Sequence, residues 1–233
     1  MISSPRDWVI TSVVAVMSGD RGAVRTVLVD DHGIVRTAIR RALEGMAWID
    51  VVGEADDGVA ALHLIDDAKP DLIILDLSMP GLDGMDIIPL VKRRNPASRI
   101  VVLTGTQDGT TMKRAFALGV DAYTLKTGGW QDLETAIGEA MAGRRYISPS
   151  AGLVVDGGEE GGLAAGSAVA PLSGRERQVL KLLAEGYTNQ KVAGILGISV
   201  KTVDRHRENI MNKLGVRTPV ALAAIALREG LVV

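Results

Sequence analysis

The chain has 233 residues, 47% of them hydrophobic and 23% charged, with a net charge of −2. That is the composition of a globular protein with room for one large domain or two ordinary ones. It has no cysteine and only three scattered histidines, His32, His63 and His206, which excludes disulfides and thiolate metal sites and argues against structural zinc.

In chain order, residues 1–24 come first. Arg6 precedes an apolar run from Trp8 to Met17 that faintly resembles the core of a signal peptide. The expectation is a disordered leader without chemistry of its own, and no apolar stretch reaches the roughly 18 residues of a membrane span. From 25 to 146, apolar runs near 26–30, 50–55, 71–76, 99–104 and 121–125 read as strands. They alternate with helical patterns over 33–45, 58–68, 83–94, 109–118 and 129–142; in the first, Ile34, Val35, Ala38, Ile39 and Ala42 recur at helical spacing. Strands apolar throughout imply a parallel sheet covered on both faces. Alternating β and α units make the fold class an α/β doubly wound five-stranded parallel sheet. Pro89 is expected in an early helical turn or at a kink.

Residues 147–170 change character. Gly157–Gly162 and the small residues after it offer little to bury, so a flexible linker is expected. Residues 171–233 then read as a small all-α domain. Ser173 and Glu176 fit a capping box, Gly186 suits a C-terminal cap, Thr188 and Ser199 can cap the next two helices, Gly197 separates them, and Pro219 opens a fourth. Two short helices about a Gly-containing turn form a helix-turn-helix.

Four apolar runs end in polar residues: Asp30-Asp31, Asp76, Thr104 and Lys126. In an open α/β sheet these C-terminal strand ends share one edge, where ligands bind. Each residue alone reads as a cap, a loop carboxylate or a surface lysine. Together they can hold a divalent cation and a phosphoryl group, with Asp76 as acceptor nucleophile.

The overall charge hides a split. Residues 171–233 carry ten Lys/Arg against five Asp/Glu, a net of +5, which leaves −7 for the rest. In the helix from Ser199, Val203, Ile210 and Leu214 lie along one line, while Lys201, Arg205, Asn209 and Asn212 face away with Thr202 and Glu208 alongside. Such a face can read base edges and phosphates in a major groove. His206 lies nearer the apolar line, where packing or a phosphate contact suits it better than base readout.

Two resemblances follow. Val27-Leu28-Val29-Asp30-Asp31-His32, Asp76 to Gly84, Leu103-Thr104 and Tyr123-Thr124-Leu125-Lys126 resemble the receiver domain of a two-component response regulator. Leu172 to Leu180, Gly186 to Ala193 and Ile198 to His206 resemble a LuxR-type helix-turn-helix. The whole is similar to a response regulator of the NarL/FixJ type. The resemblance implies Asp76 as phospho-acceptor, Mg²⁺ held by Asp31 directly and Asp30 mainly through water, and the Ser78 backbone carbonyl as a further ligand. It implies Thr104 and Tyr123 as a switch pair, the hydroxyl moving to the phosphate and the ring turning inward, with Lys126 on the phosphoryl oxygens. It further implies a sensor histidine kinase as partner and double-stranded DNA contacted by Lys201, Thr202, Arg205, His206 and Asn209. A cytoplasmic regulator that is not an enzyme is expected, forming a homodimer on phosphorylation through the last helix. A phosphatase-like enzyme with an aspartyl nucleophile is the rival reading; against it, Ser78 stands where a second acid would be needed. A regulator switched by protein partners without phosphate is another.

Overall fold

The computed structural model describes residues 22–105, 107–152 and 168–232. The expected leader, apart from its last three residues, and the Gly-rich centre of the expected linker lie outside them. The N-terminal unit runs β1 (Val24–Val29), α1 (Gly33–Glu44), β2 (Ile49–Ala55), α2 (Gly58–Ala68), β3 (Leu72–Leu75), α3 (Gly84–Arg94), β4 (Arg99–Thr104), α4 (Gly109–Ala117), β5 (Ala122–Leu125), α5 (Trp130–Met141), β6 (Tyr146–Ile147) and α6 (Pro149–Gly152). The sheet is parallel throughout, in the order β2-β1-β3-β4-β5-β6.

Alternate side chains of each central strand enter two separate cores. Leu28, Ile74, Val101 and Leu103 meet Ile39 and Leu43 of α1 and Leu133, Ala136 and Ile137 of α5. Val27, Val29, Ile73, Leu75, Ile100 and Val102 meet α2, α3 and α4 through Leu62, Ile65, Ile87, Ile88 and Met112. Burial on both faces is why these strands read as unbroken apolar runs.

Three features depart from the sequence reading. The sheet has six strands, not five: Tyr146 N–H donates to the Asp121 carbonyl and Ser148 N–H to that of Tyr123, adding an edge strand of two residues. The stretch expected as linker begins inside the folded unit, because α6 packs on it with Ala151 and Ser148 buried. Pro89 is the sixth residue of α3, and the helix continues past it. Burial of Ile87, Ile88, Leu90 and Val91, at about 1.5–3 kcal/mol per large side chain, outweighs the roughly 3 kcal/mol of an interior proline.

The C-terminal unit is α7 (Gly174–Ala184), α8 (Asn189–Leu196), α9 (Val200–Leu214) and α10 (Pro219–Arg228). Each starts where a local cap sets it. Ser173 and Glu176 form the reciprocal capping box; Thr188, Ser199 and Thr218 each accept a backbone N–H at the third helical position. Gly197 adopts φ +62°, a conformation that ends α8 and that glycine takes without strain. Val179, Leu182, Val192, Leu196, Val203, Ile210 and Leu222 form this unit's core, which is continuous with the α2–α3 side of the sheet.

The two units are docked through α3. Lys181 Nζ lies 2.9 Å from Asp83 Oδ2 and 2.5 Å from Asp86 Oδ2. Gln178 Nε2 donates to the Asp86 carbonyl at 3.0 Å, and Arg93 and Arg94 donate to the carbonyls of Leu196 and Ile195 at the C-terminal end of α8. Cations at a helix C-terminus complement its partial negative charge.

Candidate functional site

Register builds the phosphoryl pocket. Val29 pairs with Leu75, so Asp30 and Asp76 leave neighbouring strands side by side. Thr104 pairs with Leu125, and Lys126 N–H donates to the Thr104 carbonyl at 2.8 Å, bringing that lysine to the same edge. The strand order reverses between β1 and β3, the position where open α/β sheets form their ligand crevice.

Asp30 and Asp76 are 3% and 2% exposed. Lys126 Nζ bridges them, 2.8 Å from Asp30 Oδ2 and 2.7 Å from Asp76 Oδ2. Burial works against the lysine's charge, but the hydrogen bonds and charges of the two aspartates win, and its pKa stands above the ordinary value. The other oxygens are held from the backbone. Asp30 Oδ1 accepts from His32 N–H at 2.8 Å, and Asp76 Oδ1 from Ser78 N–H at 3.1 Å. One ligand atom each from Asp30, Asp31, His32 and Asp76 all fall within 4.8 Å of one another. The three carboxylates are the hard oxygen donors that Mg²⁺ takes. His32, whose Nδ1 is 2.7 Å from Asp31 Oδ1, belongs to this cluster but has no role in the sequence reading. The signal available was its place directly after the two aspartates.

Thr104 is fully buried at the end of β4. Tyr123 is 1% exposed with its hydroxyl buried and without a hydrogen-bond partner among the described residues. Burial, with Asp108 and Asp76 adding to it, pushes the phenol pKa up to about 12. Ser78 sits in the loop after β3, where Gly84 N–H donates to the Leu77 carbonyl. A side chain at Gly84 would collide with the Asp76 carbonyl, so the loop closes tightly behind the acceptor.

On α9, Val203 and Ile210 are buried while Lys201, Arg205 and Asn209 are exposed; Thr202 and His206 are half-buried. Ser199 and Thr202 hydroxyls are 2.7 Å apart at the helix start. His206 Nδ1 is buried without a partner among the described residues. Asp204 accepts from Asn189 Nδ2 at 2.6 Å, so this acid of α9 is tied to α8. Docking against α3 leaves Lys201, Arg205 and Asn209 uncovered. Among the described residues, no single helix is long and apolar enough to cross a membrane.

Comparison with known proteins matches residues 26–138 to the response regulator receiver domain and 170–226 to the bacterial regulatory proteins of the luxR family. The chain is 33% identical over 209 residues to the response regulator GacA of Pseudomonas aeruginosa, covering 90% of this chain and 98% of that one. It is 32% identical over 202 residues to the transcriptional regulatory protein RcsB of Escherichia coli K12, covering 85% and 92%. Among solved structures, an RcsB–DNA complex superposes with a TM-score of 0.56 at 30% identity, over 88% of this chain and 98% of that one. RcsB from Salmonella enterica serovar Typhimurium, bound to a promoter in the presence of a phosphomimetic, gives 0.55 at 31%, again over 88% and 98%. With the acidic strand-end pocket in front and the basic helix-turn-helix behind, this chain belongs to the two-component response regulators that join a receiver domain to a LuxR-type domain, and its DNA binding and transcriptional control answer to phosphorylation.

Proposed function

We propose that Asp76 accepts the phosphoryl group from a sensor histidine kinase, and that the phosphorylated chain binds an operator as a homodimer. The observation that carries this is Lys126 bridging two buried carboxylates at 2.7 and 2.8 Å. An Asp76 oxygen attacks phosphorus as the bond to the donor breaks, leaving an acyl phosphate on the protein. Lys126 then turns from the carboxylates to the phosphoryl oxygens as a point charge, and the Thr104 hydroxyl donates to them. Asp30, Asp31, Asp76 and the Ser78 carbonyl would hold Mg²⁺, whose charge offsets the repulsion between these acids and the incoming dianion. Ser78 supplies no acid for expelling an alcohol, which favours a phospho-accepting regulator over a phosphatase-like enzyme.

Lys201, Thr202, Arg205, His206 and Asn209 are proposed to meet DNA, the amides and cations at base edges and phosphates. Exposed Val220 and Leu227 on α10 (78% and 55%) form an apolar stripe suited to a second copy, and two RcsB dimers on DNA are known as a structure. Two reading helices would then meet half-sites one helical turn apart. With a kinase and DNA as partners, the protein would act in the cytoplasm.

The test is phosphorylation with acetyl phosphate and Mg²⁺, read by intact mass. Wild type gains one phosphoryl group and Asp76→Asn gains none. A phosphoryl group retained in the variant refutes the acceptor assignment.

A further inference from the structure

His32 is the N-cap residue of α1, yet its side chain makes no capping bond. Asp57, Asp83 and Asp108 head α2, α3 and α4, and each accepts at least one backbone N–H of its helix, a bond worth about 0.5–2 kcal/mol. The imidazole is turned the other way, towards the acids. Its Nδ1 lies 2.7 Å from Asp31 Oδ1 and 3.4 Å from Asp30 Oδ1. An ion pair alone would align a ring N–H on the nearer oxygen. That alignment is missing: Asp31 Oδ1 is buried and has no hydrogen-bond partner among the described residues. The His32 side chain is 61% exposed, so core packing does not set its position either.

We infer that His32 Nδ1 is a nitrogen ligand beside Asp30, Asp31 and Asp76, and that it lets this pocket take a first-row transition cation such as Zn²⁺ in competition with Mg²⁺. The inference rests on the reading of the three aspartates as cation ligands. Donors on opposite sides of an ion with bonds of roughly 2.0–2.2 Å sit about 4.2 Å apart, and neighbouring donors about 3 Å apart. One ligand atom from each of the four residues already lies within 4.8 Å of the others, so small rotations close the set on one ion. Mg²⁺ is hard, keeps oxygen ligands and water, and gains little from an imidazole. Zn²⁺, Fe²⁺ and Ni²⁺ take imidazole readily. A neutral ring also adds a ligand without adding a fourth negative charge to three carboxylates, two of which already share Lys126. The oxygens therefore serve either cation, and the nitrogen favours only the transition metal.

The experiment uses the full chain and His32→Asn, which keeps a polar side chain at the head of α1 but removes the ring nitrogen. Calorimetric titrations with Zn²⁺ alone, with Mg²⁺ alone and with Zn²⁺ in excess Mg²⁺ read affinity and competition. The side-chain ¹⁵N resonances of the wild-type histidines read which nitrogen meets the metal. In wild type, Zn²⁺ should bind at a site that Mg²⁺ competes for, and it should move the His32 Nδ1 resonance where Mg²⁺ does not. His32→Asn should lower Zn²⁺ affinity about tenfold or more, at least the loss that follows removal of an outer partner of a metal site, and change Mg²⁺ affinity less than about twofold. Equal Zn²⁺ affinity in the two proteins overturns the ligand role of His32 and leaves the carboxylate reading intact. Zn²⁺ binding that Mg²⁺ does not weaken places the metal elsewhere, at His63 or His206, and overturns the inference. Should the variant fold poorly, wild type decides alone: a His32 Nδ1 resonance unmoved by bound Zn²⁺ overturns it. Absence of binding by either cation overturns the reading of the aspartates as well.

Discussion

Lys126→Met should expose the repulsion that the lysine now neutralises. The ammonium bridges Asp30 and Asp76, and ligand oxygens of the cluster lie within 4.8 Å of one another. Two unit charges at that separation and an effective dielectric constant near 20 repel by about 3.5 kcal/mol. Urea unfolding at pH 7 in EDTA should show the receiver of Lys126→Met destabilised by about 3 kcal/mol. Mg²⁺ at a hundred times the variant's dissociation constant should stabilise the variant by about 2.7 kcal/mol and wild type by less at the same concentration, where the cation competes with an ammonium. Adding Asp76→Asn should remove most of the deficit. Equal stability of variant and wild type in EDTA, or a deficit indifferent to Mg²⁺, would refute the charge balance drawn for this pocket.

Two other perturbations address the remaining parts. Replacing Lys201 and Arg205 by Ala should weaken operator binding by about 1–3 kcal/mol for a side chain that reads a base edge, and should lower the salt slope by about 1 for a side chain that meets a phosphate; an unchanged gel shift would remove α9 as the reading helix. Tyr123→Phe deletes a buried hydroxyl without a partner among the described residues, so the unfolding free energy in urea should hold or rise by up to about 1 kcal/mol. Because the folded-state phenol is raised to about 12, its contribution is complete below the unfolded value near 10 and is lost as pH rises through 12. Wild type should thus lose about 2–3 kcal/mol across that window and the Phe variant should not; parallel alkaline curves would contradict the burial argument.

The strand-end pocket is readable from the chain because a parallel sheet fixes which residues share an edge. Once the apolar runs are placed, Asp30, Asp76, Thr104 and Lys126 follow by counting. The helix starts are readable for a related reason: Ser173, Thr188 and Ser199 act on residues three positions away, with no tertiary information required. The docking interface offers no such signal. Lys181 and Gln178 read as solvated positions of an amphipathic helix, Asp83 and Asp86 as favourable acids at a helix start, and Arg93 and Arg94 as favourable cations at its end. Each local explanation is sufficient, so the second role of each residue is invisible until α3 meets α7 and α8. β6 escaped because two residues carry no periodicity.

The charge split now has a structural meaning that a simple division into cation holder and DNA binder does not supply. Under the proposed DNA contacts the basic unit meets two acidic partners, the receiver and the nucleic acid, with different side chains. Lys181 serves the receiver and is buried, where a cation's attraction is strong and geometry-dependent. Lys201 and Arg205 remain in solvent, where attraction to a polyanion is long-ranged and salt-sensitive. The arrangement is not uniformly complementary. Arg93 and Arg94 bring positive charge towards Arg175, whose pKa is depressed by burial and by those two neighbours. That repulsion is tolerated because Arg93, Arg94 and Arg175 converge on the carbonyls of Leu196 and Ile195 at the end of α8, where the helix's own partial negative charge offsets it. Docking therefore combines one strong ion-pair cluster with a crowded arginine group. Both lie over an apolar core that the two units share.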